Sequence, residues 1–145
     1  MVIETEIPVR YAETDAMGVV YHANYLVYFE VGRTTFLEGI GFPYSQVEEA
    51  GYMSPVVEVN VRYGSPLHYG ETALVRTKIT KLSPVKVTYT SEVYRKGQNV
   101  ETEKPCCSGE ALVTLVDRET FHPVSTKRVL PELYAKYQEV LEPAE

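Results

Sequence analysis

Two carboxylates, a glycine and a histidine lie close together near the N-terminus. Glu13 and Asp15 are two residues apart, Gly18 ends the turn-like sequence Asp-Ala-Met-Gly, and His22 precedes a helix-like segment. A carboxylate can act as a general base or as a nucleophile, and an imidazole titrates near neutral pH, which suits protonation of a leaving group. We therefore expect the chemistry of this chain in the stretch from Arg10 to Glu38.

A short strand and a long helix are predicted on either side of these residues. Alternating apolar residues indicate a first strand from Glu4 to Tyr11, with Tyr11 on the same face as Ile7 and Val9. Apolar residues at helical spacing predict a helix from about Ala23 to Glu38, which Gly39 and Gly41 end. The predicted apolar stripe of this helix consists of Leu26, Phe29, Phe36, Leu37 and Ile40.

The rest of the chain has mainly the pattern of β-strands. Alternation predicts strands at 55–63, 73–82, 85–95 and 109–116 and a brief extension at 121–124, the first of them half-buried. A short helical turn is expected at 44–50, and a C-terminal helix at 131–141 follows from Pro131 and an apolar stripe. This order predicts an α+β fold in which an antiparallel sheet packs against the long helix. The uncovered edge or face of such a sheet needs a partner, so we expect oligomerisation.

The composition excludes several classes of protein. A chain of 145 residues fits one domain, 1–145, and no apolar run approaches the ~20 residues that span a bilayer. The N-terminal segment has no basic stretch followed by an apolar core, so we expect no secretory signal and a cytoplasmic protein. The net charge of −6 argues against a surface that coats nucleic acid.

The histidines and cysteines form no metal-binding pattern. A metal site needs about three or four converging ligands, whereas the three histidines are scattered and Cys106 and Cys107 are adjacent. Neighbouring cysteines make an unfavourable structural disulfide, so reduced thiols are expected. We predict no metal site and no nucleophilic role for Cys106 or Cys107.

Two sequence stretches resemble motifs of a known enzyme family. The first stretch reads Arg10-Tyr11-x-x-x-Asp15-x-x-Gly18-x-Val20-Tyr21-His22-x-Asn24-Tyr25-x-x-Tyr28-Phe29-Glu30-x-x-Arg33. It closely resembles the opening motif of hotdog-fold acyl-CoA thioesterases, and it looks most like the 4-hydroxybenzoyl-CoA thioesterase group and, through His22, its Tol-Pal-associated branch. The second stretch is similar to the family loop that joins two strands, and it reads Tyr63-x-x-Pro66-Leu67-x-Tyr69-Gly70-Glu71.

The resemblance implies a hotdog fold that hydrolyses a CoA thioester. The central helix would be wrapped by an antiparallel sheet of about five strands, two sheets would join edge to edge in a homodimer, and dimers could pair into a homotetramer. The active site would lie at the dimer interface, and no cofactor is needed. The alternatives are a non-hydrolytic acyl-thioester binding module and a hotdog dehydratase or hydratase.

By the same resemblance, Asp15 is the catalytic carboxylate, as a general base on water or as a nucleophile. The backbone N–H of His22 would polarise the thioester carbonyl, and the His22 side chain would orient substrate, protonate the leaving thiolate or pack at the helix start. We interpret Glu13 as a solvated or electrostatic neighbour of Asp15. The substrate-binding positions implied are Gly18, Val20, Tyr21 and Ser54.

Two further groups of side chains have alternative interpretations. The helical spacing of Tyr25, Tyr28 and Phe29 favours packing over ligand stacking. Four basic residues near strand ends supply charge for the CoA phosphates or only keep a sheet edge soluble, and these are Lys81, Lys86, Arg95 and Lys96.

Overall fold

The computed structural model describes residues 1–143. In chain order, its elements are β1 (Ile3–Pro8), α1 (Asn24–Gly39), α2 (Tyr44–Glu49), β2 (Tyr52–Met53), β3 (Val56–Tyr63), β4 (Thr72–Leu82), β5 (Lys86–Arg95), β6 (Cys107–Thr114), β7 (Val116–Asp117), α3 (Thr126–Val129) and α4 (Pro131–Val140). Five strands form one sheet in the order β1-β4-β5-β6-β3, and β2 pairs with β7. All neighbouring strands are antiparallel, which confirms the predicted sheet.

Helix α1 packs its aromatic face against the sheet. Tyr25, Tyr28 and Phe29 are almost completely buried, which confirms their predicted packing role. Fully burying an apolar side chain of this size contributes about 1.5–3 kcal/mol. Gly32 allows the close approach to β4, because a Cβ atom there would lie 2.5 Å from the Oγ1 atom of Thr77.

The predicted stripe of α1 is correct toward its C-terminus and wrong at its start. Phe36 and Leu37 are buried, but Leu26 is 38% exposed. The tyrosines at 25 and 28 take the buried face, so the helix is rotated and Leu26 points away from the sheet. Gly41, at φ +81°, supplies the left-handed residue that ends the helix, whereas Gly39 is still helical.

The predicted first strand extends too far. β1 ends at Pro8, which lacks the N–H needed to continue the ladder. Residues Tyr11–Glu13 form a 3₁₀ turn instead, and Tyr11 is 78% exposed rather than on a buried face. Glu13 and Asp15 therefore do not lie on one strand, although they are two residues apart.

β3 forms one edge of the sheet and is far more exposed than predicted. Seven of its eight residues are exposed and only Val61 is partly buried, so the expected half-buried strand is wrong for the single chain. The physical reason is that β3 has a neighbour on one side only, β6. The opposite side of β3 is open to a further strand.

The C-terminal third contains one predicted helix and part of the predicted brief extension. α4 buries Leu133 and Tyr137 on the core, and it ends at Val140, one residue before the predicted end. The extension at 121–124 is limited to an isolated antiparallel bridge between Pro123 and Val116, because Phe121 has a φ of +61°, which extended backbone does not allow. The short elements β2, β7 and α3 were not predicted, since segments of two to four residues are too short to show a periodic pattern.

Among the described residues, no helix combines the length and apolar character that crossing a membrane requires.

Candidate active site

The loop between β1 and α1 carries Asp15 on a tight turn. The N–H of Asp15 donates to the carbonyl of Val19 at 2.9 Å, and the N–H of Gly18 donates to the carbonyl of Asp15 at 3.0 Å. Gly18 has a φ of +77°, a conformation that glycine adopts without steric cost. The predicted turn is present, and it fixes the backbone of Asp15.

One oxygen of the Asp15 carboxylate is held and the other is free. Oδ1 accepts a hydrogen bond from the N–H of Met17 at 2.8 Å, as aspartate often does in a turn. Within residues 1–143, Oδ2 has no hydrogen-bond partner, and the side chain is half-buried. The carboxylate is therefore oriented while one oxygen stays available for chemistry.

The Asp15 loop rests on the core through Val20. The N–H of Val20 donates to the carbonyl of Leu67 at 2.8 Å, and Val19 forms a β-bridge with His68. Val20 and Leu67 are both buried in one apolar cluster. The two stretches that resemble family motifs therefore contact each other.

The turn Tyr21–Asn24 leads into α1 and leaves two amides unpaired. The N–H of Asn24 donates to the carbonyl of Tyr21 at 2.8 Å, which closes the turn. Inside it, the N–H groups of His22 and Ala23 have no acceptor among residues 1–143. Unpaired N–H groups at the start of a helix, together with the helix dipole, favour negative charge. These two amides can stabilise an oxyanion.

The backbone carbonyl of Glu13 anchors this turn from one side. It accepts hydrogen bonds from the N–H of Tyr21 at 2.9 Å and from the side-chain amide of Asn24 at 2.8 Å. Two donors on one acceptor hold the two ends of the turn. Glu13 therefore positions the helix entrance through its backbone.

The Glu13 carboxylate is buried, so the prediction of a solvated neighbour is wrong. Its side chain accepts hydrogen bonds from the backbone N–H of Arg10 at 2.8 Å, from the Tyr28 hydroxyl at 3.0 Å and from the Arg10 guanidinium. Burial by itself would raise the pKa of Glu13, but these hydrogen bonds outweigh it and hold the pKa below its usual range. Burial and the hydrogen bond to Glu13 raise the pKa of Tyr28. Glu13 is a charged structural group beneath the loop.

The His22 side chain is exposed and lies among aromatic rings. Its ring centroid is 4.3 Å from that of Tyr21 and 6.2 Å from that of Tyr63. Tyr21 is itself exposed, so this aromatic group lies at the surface beside the unpaired amides. Both His22 and Tyr21 are accessible to a ligand that reaches the start of α1.

Ser54 lies far from Asp15 in the single chain. Its backbone N–H donates to the Tyr44 hydroxyl at 3.1 Å, and it precedes the first residue of β3. His22 lies at the other end of β3, where Tyr63 contacts it. Seven residues of strand at ~3.3 Å each separate these ends by about 23 Å. One chain therefore does not bring Ser54 and His22 together.

Two of the four basic residues considered for CoA phosphates form ion pairs within the chain. The Nε atom of Arg95 is 2.5 Å from the Oε2 atom of Glu71, and the Nζ atom of Lys96 is 3.1 Å from the Oε2 atom of Glu6. These contacts favour a structural role for Arg95, which also donates to the carbonyl of Pro66.

Cys106 and Cys107 are buried and form no disulfide. Burial, and to a lesser extent the charge of the neighbouring Cys106 thiol, raises the pKa of Cys107 to about 12. A thiol with this pKa is a poor nucleophile near neutral pH. Across the described part of the chain, no three His, Cys, Asp and Glu side chains are placed to hold a metal ion.

Sequence reasoning missed the roles of Asn24 and Tyr63. An asparagine at a helix start is a common capping residue, so its side-chain hydrogen bond to Glu13 had a local signal. Tyr63 contacts His22 across 41 positions of sequence, a separation at which no local pattern predicts a contact.

The chain matches known thioesterases along nearly all of its length. The model of the thioesterase-like superfamily matches residues 9–137. A putative acyl-CoA thioesterase of Bacillus subtilis, YneP, is 43% identical over 94% of this chain and 96% of its own length. The acyl-CoA thioesterase YbgC of Helicobacter pylori is 30% identical over 86% of this chain and 94% of its own length.

A solved structure gives the same result. The DHNA-CoA thioesterase of Staphylococcus aureus superposes with a TM-score of 0.87 at 34% identity, covering 95% of this chain and 89% of that one. The helix wrapped by a five-stranded antiparallel sheet is therefore the predicted hotdog fold. By its sequence motifs, its fold and these relatives, the chain belongs to the thioesterase-like superfamily.

Proposed function

We propose that this thioester hydrolase cleaves acyl-CoA with Asp15 as its catalytic carboxylate and the N–H groups of His22 and Ala23 as donors to the thioester oxygen. One observation carries the proposal: a carboxylate with a free oxygen and two unpaired amides are held by one continuous loop at the start of α1. Hydrolysis needs this pairing of a base or nucleophile with oxyanion donors. The activities named for the B. subtilis and H. pylori relatives support acyl-CoA as the substrate.

Hydrolysis can follow either of two routes. As a general base, Asp15 accepts a proton from water while the water oxygen bonds to the carbonyl carbon. As a nucleophile, its carboxylate bonds to that carbon, and water then cleaves the resulting anhydride. In both routes the carbon–sulfur bond breaks, its electron pair leaves with sulfur, and the thiolate takes up a proton. The products are the free acid and CoA.

The direct test is thiol release from a panel of aliphatic and aromatic acyl-CoAs. We expect the chain to release CoA from at least one acyl class well above the rate without protein. The relative kcat/KM values then rank the acyl groups. Absence of thiol release from every acyl-CoA in the panel would contradict the proposal.

We propose that two chains pair through the free edges of β3. The two edges of the sheet differ in their apolar residues: β1 carries Pro8 and keeps its isoleucines partly buried, whereas β3 exposes Val57 and Val59 beside the charged Glu58 and Arg62. Proline protects an edge from pairing, and exposed valines favour it. The homodimer expected from the sequence is therefore supported at β3, and a homotetramer would join two such dimers.

Edge pairing also gives Ser54 a place in the site. In an antiparallel pair of β3 strands about a two-fold axis, the start of one strand lies beside the end of the other. Ser54 precedes β3, and Tyr63 ends it beside His22. Ser54 of one subunit would then approach the His22 end of its partner. This arrangement supports an active site at the dimer interface, with Gly18, Val20, Tyr21 and Ser54 near the substrate.

A lysine at the exposed edge is expected to dissociate the dimer. Val57→Lys places a charge on the pairing edge, where a second copy would bury it, so the dimer fraction falls at least about tenfold at equal concentration. Light scattering reports the mass against the 16.4 kDa of one chain. Val2→Lys, next to the opposite edge strand, is the matched control and keeps the mass of wild type. An unchanged mass for Val57→Lys would exclude pairing at β3.

The backbone of His22 is expected to matter more than its ring. His22→Ala keeps the N–H that faces the oxyanion, so kcat falls less than about tenfold, below the roughly 10²- to 10⁴-fold that loss of a general acid typically costs. Thiol release measured from pH 6 to 9 checks this. A fall of a hundredfold or more, with a new dependence on pH, would instead assign proton transfer to the imidazole.

The expected cytoplasmic location belongs to the same proposal. The free cysteines, Cys106 and Cys107, support a reducing compartment, in which thiols stay unpaired.

A further inference from the structure

We propose that Tyr63 is a positioning residue, which orients the N–H of Ala23, one of the two proposed oxyanion donors, through a hydrogen bond to the backbone carbonyl of His22. This inference rests on the proposed function, because it assigns a role in the same thioester hydrolysis. Tyr63 touches none of the reacting atoms in this scheme and acts through the peptide backbone.

The contact joins the last residue of the edge strand to the start of α1. The Tyr63 hydroxyl donates to the backbone carbonyl of His22 at 2.9 Å. The Tyr63 ring also packs edge-on against Tyr25, with centroids 5.8 Å apart. Because Tyr25 is buried, it limits the directions in which the Tyr63 ring can point. Although Tyr63 is 52% exposed, these two contacts orient its hydroxyl toward the His22 carbonyl.

A hydrogen bond to this carbonyl fixes one of the two candidate oxyanion donors, the N–H of Ala23. The carbonyl of His22 and the N–H of Ala23 belong to one planar trans peptide, in which they point in opposite directions. Holding the carbonyl therefore sets the direction of the Ala23 N–H. The other donor, the N–H of His22, belongs to the preceding peptide, whose carbonyl, that of Tyr21, accepts the hydrogen bond from the N–H of Asn24.

Tyr63 hydrogen-bonds to a part of the turn that the Glu13 carbonyl does not contact. The Glu13 carbonyl holds the outer residues of the turn, Tyr21 and Asn24, but contacts neither central peptide group. Tyr63 holds the central peptide, and among residues 1–143 it is the side chain that hydrogen-bonds to it. Oxyanion donors work by being oriented before charge develops. Without the Tyr63 hydroxyl, the central peptide is free to rotate.

The test compares Tyr63→Phe with wild type. Phenylalanine keeps the ring against Tyr25 and removes only the hydroxyl. We expect kcat for acyl-CoA hydrolysis to fall about tenfold with KM within twofold, because the lost hydrogen bond is felt where the oxyanion forms. A purely structural role would change stability without this split between kcat and KM.

The matched control is Tyr94→Phe. The Tyr94 hydroxyl donates to the Glu92 carboxylate at 3.0 Å and to the Val100 carbonyl at 3.3 Å, away from the Tyr21–Asn24 turn. Tyr94 is more buried than Tyr63 and bonds to a charged group, so we expect at least as large a fall in melting temperature and a kcat within twofold of wild type. Equal effects of the two variants on kcat would overturn the proposal, and so would loss of the dimer in Tyr63→Phe.

A binding measurement separates this inference from the proposed function. S-trifluoroacetonyl-CoA hydrates to a tetrahedral form and is not hydrolysed, and CoA lacks that group. We expect Tyr63→Phe to weaken binding of the analogue about tenfold and to leave CoA binding unchanged. If wild type releases no thiol from any acyl-CoA, the proposed function fails. Analogue binding then decides alone, and equal affinity of both proteins, or no binding, overturns the role of Tyr63.

Discussion

Asp15→Asn is expected to lower kcat for acyl-CoA hydrolysis by at least about a hundredfold and to leave the fold unchanged. Asparagine has the same shape as aspartate, and its side-chain oxygen can still accept the hydrogen bond from the N–H of Met17. The amide group is neither a base nor an effective nucleophile, so both routes of hydrolysis lose the group that starts them. Loss of a general base typically costs about 10²- to 10⁴-fold in rate.

The measurement is thiol release by wild type and Asp15→Asn at equal, verified folding, with kcat and KM reported separately. The control is Asp117→Asn, the other aspartate in the sequence. Asp117 also accepts backbone hydrogen bonds in a turn, from the N–H groups of Glu119 and Thr120. We expect Asp117→Asn to retain wild-type kcat. Equal activity of Asp15→Asn and wild type would remove Asp15 from the mechanism.

The parts of the fold with long periodic patterns could be predicted from the sequence. α1 and the strands β4 and β5 repeat their apolar residues over many positions, and each lies close to its predicted range. The Gly18 turn was also predictable, because glycine before a helix has a local steric reason to be there. A local pattern is sufficient when the residues that determine a structure are neighbours in sequence.

The parts that were missed depend on distant contacts. Glu13 was expected to be a solvated or electrostatic neighbour of Asp15, and its burial depends on Tyr28, fifteen residues away. The exposure of β3 depends on strand order, which places it at an edge rather than inside the sheet. Its alternating valines predict a buried face correctly only if a second chain supplies the missing cover.

For the candidate site, the sequence indicated which residues could take part in the chemistry, and the structure showed the hydrogen bonds that hold them in place. Asp15 and His22 were recognised by their motif, although their roles stay predictions. Of the two supports beneath them, the Tyr63 hydroxyl comes from a residue of the second motif, whereas the Glu13 carbonyl comes from an unspecified position of the first. A motif preserves the residue types, whereas the hydrogen bonds between them appear only in three dimensions.

Glu13→Gln is expected to lower the free energy of unfolding by about 2 kcal/mol at pH 7. The buried carboxylate accepts hydrogen bonds from the backbone N–H of Arg10 and from Tyr28, and glutamine replaces one charged acceptor oxygen by an N–H₂ donor. Hydrogen bonds to a charged group contribute about 1.5–3 kcal/mol to the free energy of unfolding. A buried N–H₂ donor left without an acceptor lowers that free energy further. The exposed Arg10 guanidinium adds little, because water screens it.

The difference between Glu13→Gln and wild type is also expected to depend on pH, with a sign fixed by the pKa of Glu13. Hydrogen bonds from Arg10 and Tyr28 overcome the effect of burial and hold this pKa below its unfolded value, so the unfolded chain binds the proton more tightly. The stabilisation is complete above the unfolded pKa of about 4.3 and is lost as the pH falls through the folded pKa. Urea unfolding from pH 7 to 3 should therefore show wild type approaching Glu13→Gln in stability at the acidic end. Glu49→Gln, at an exposed position, should follow wild type at every pH. If the difference in the free energy of unfolding between wild type and Glu13→Gln stays constant down to pH 3, the carboxylate charge does not stabilise the start of α1.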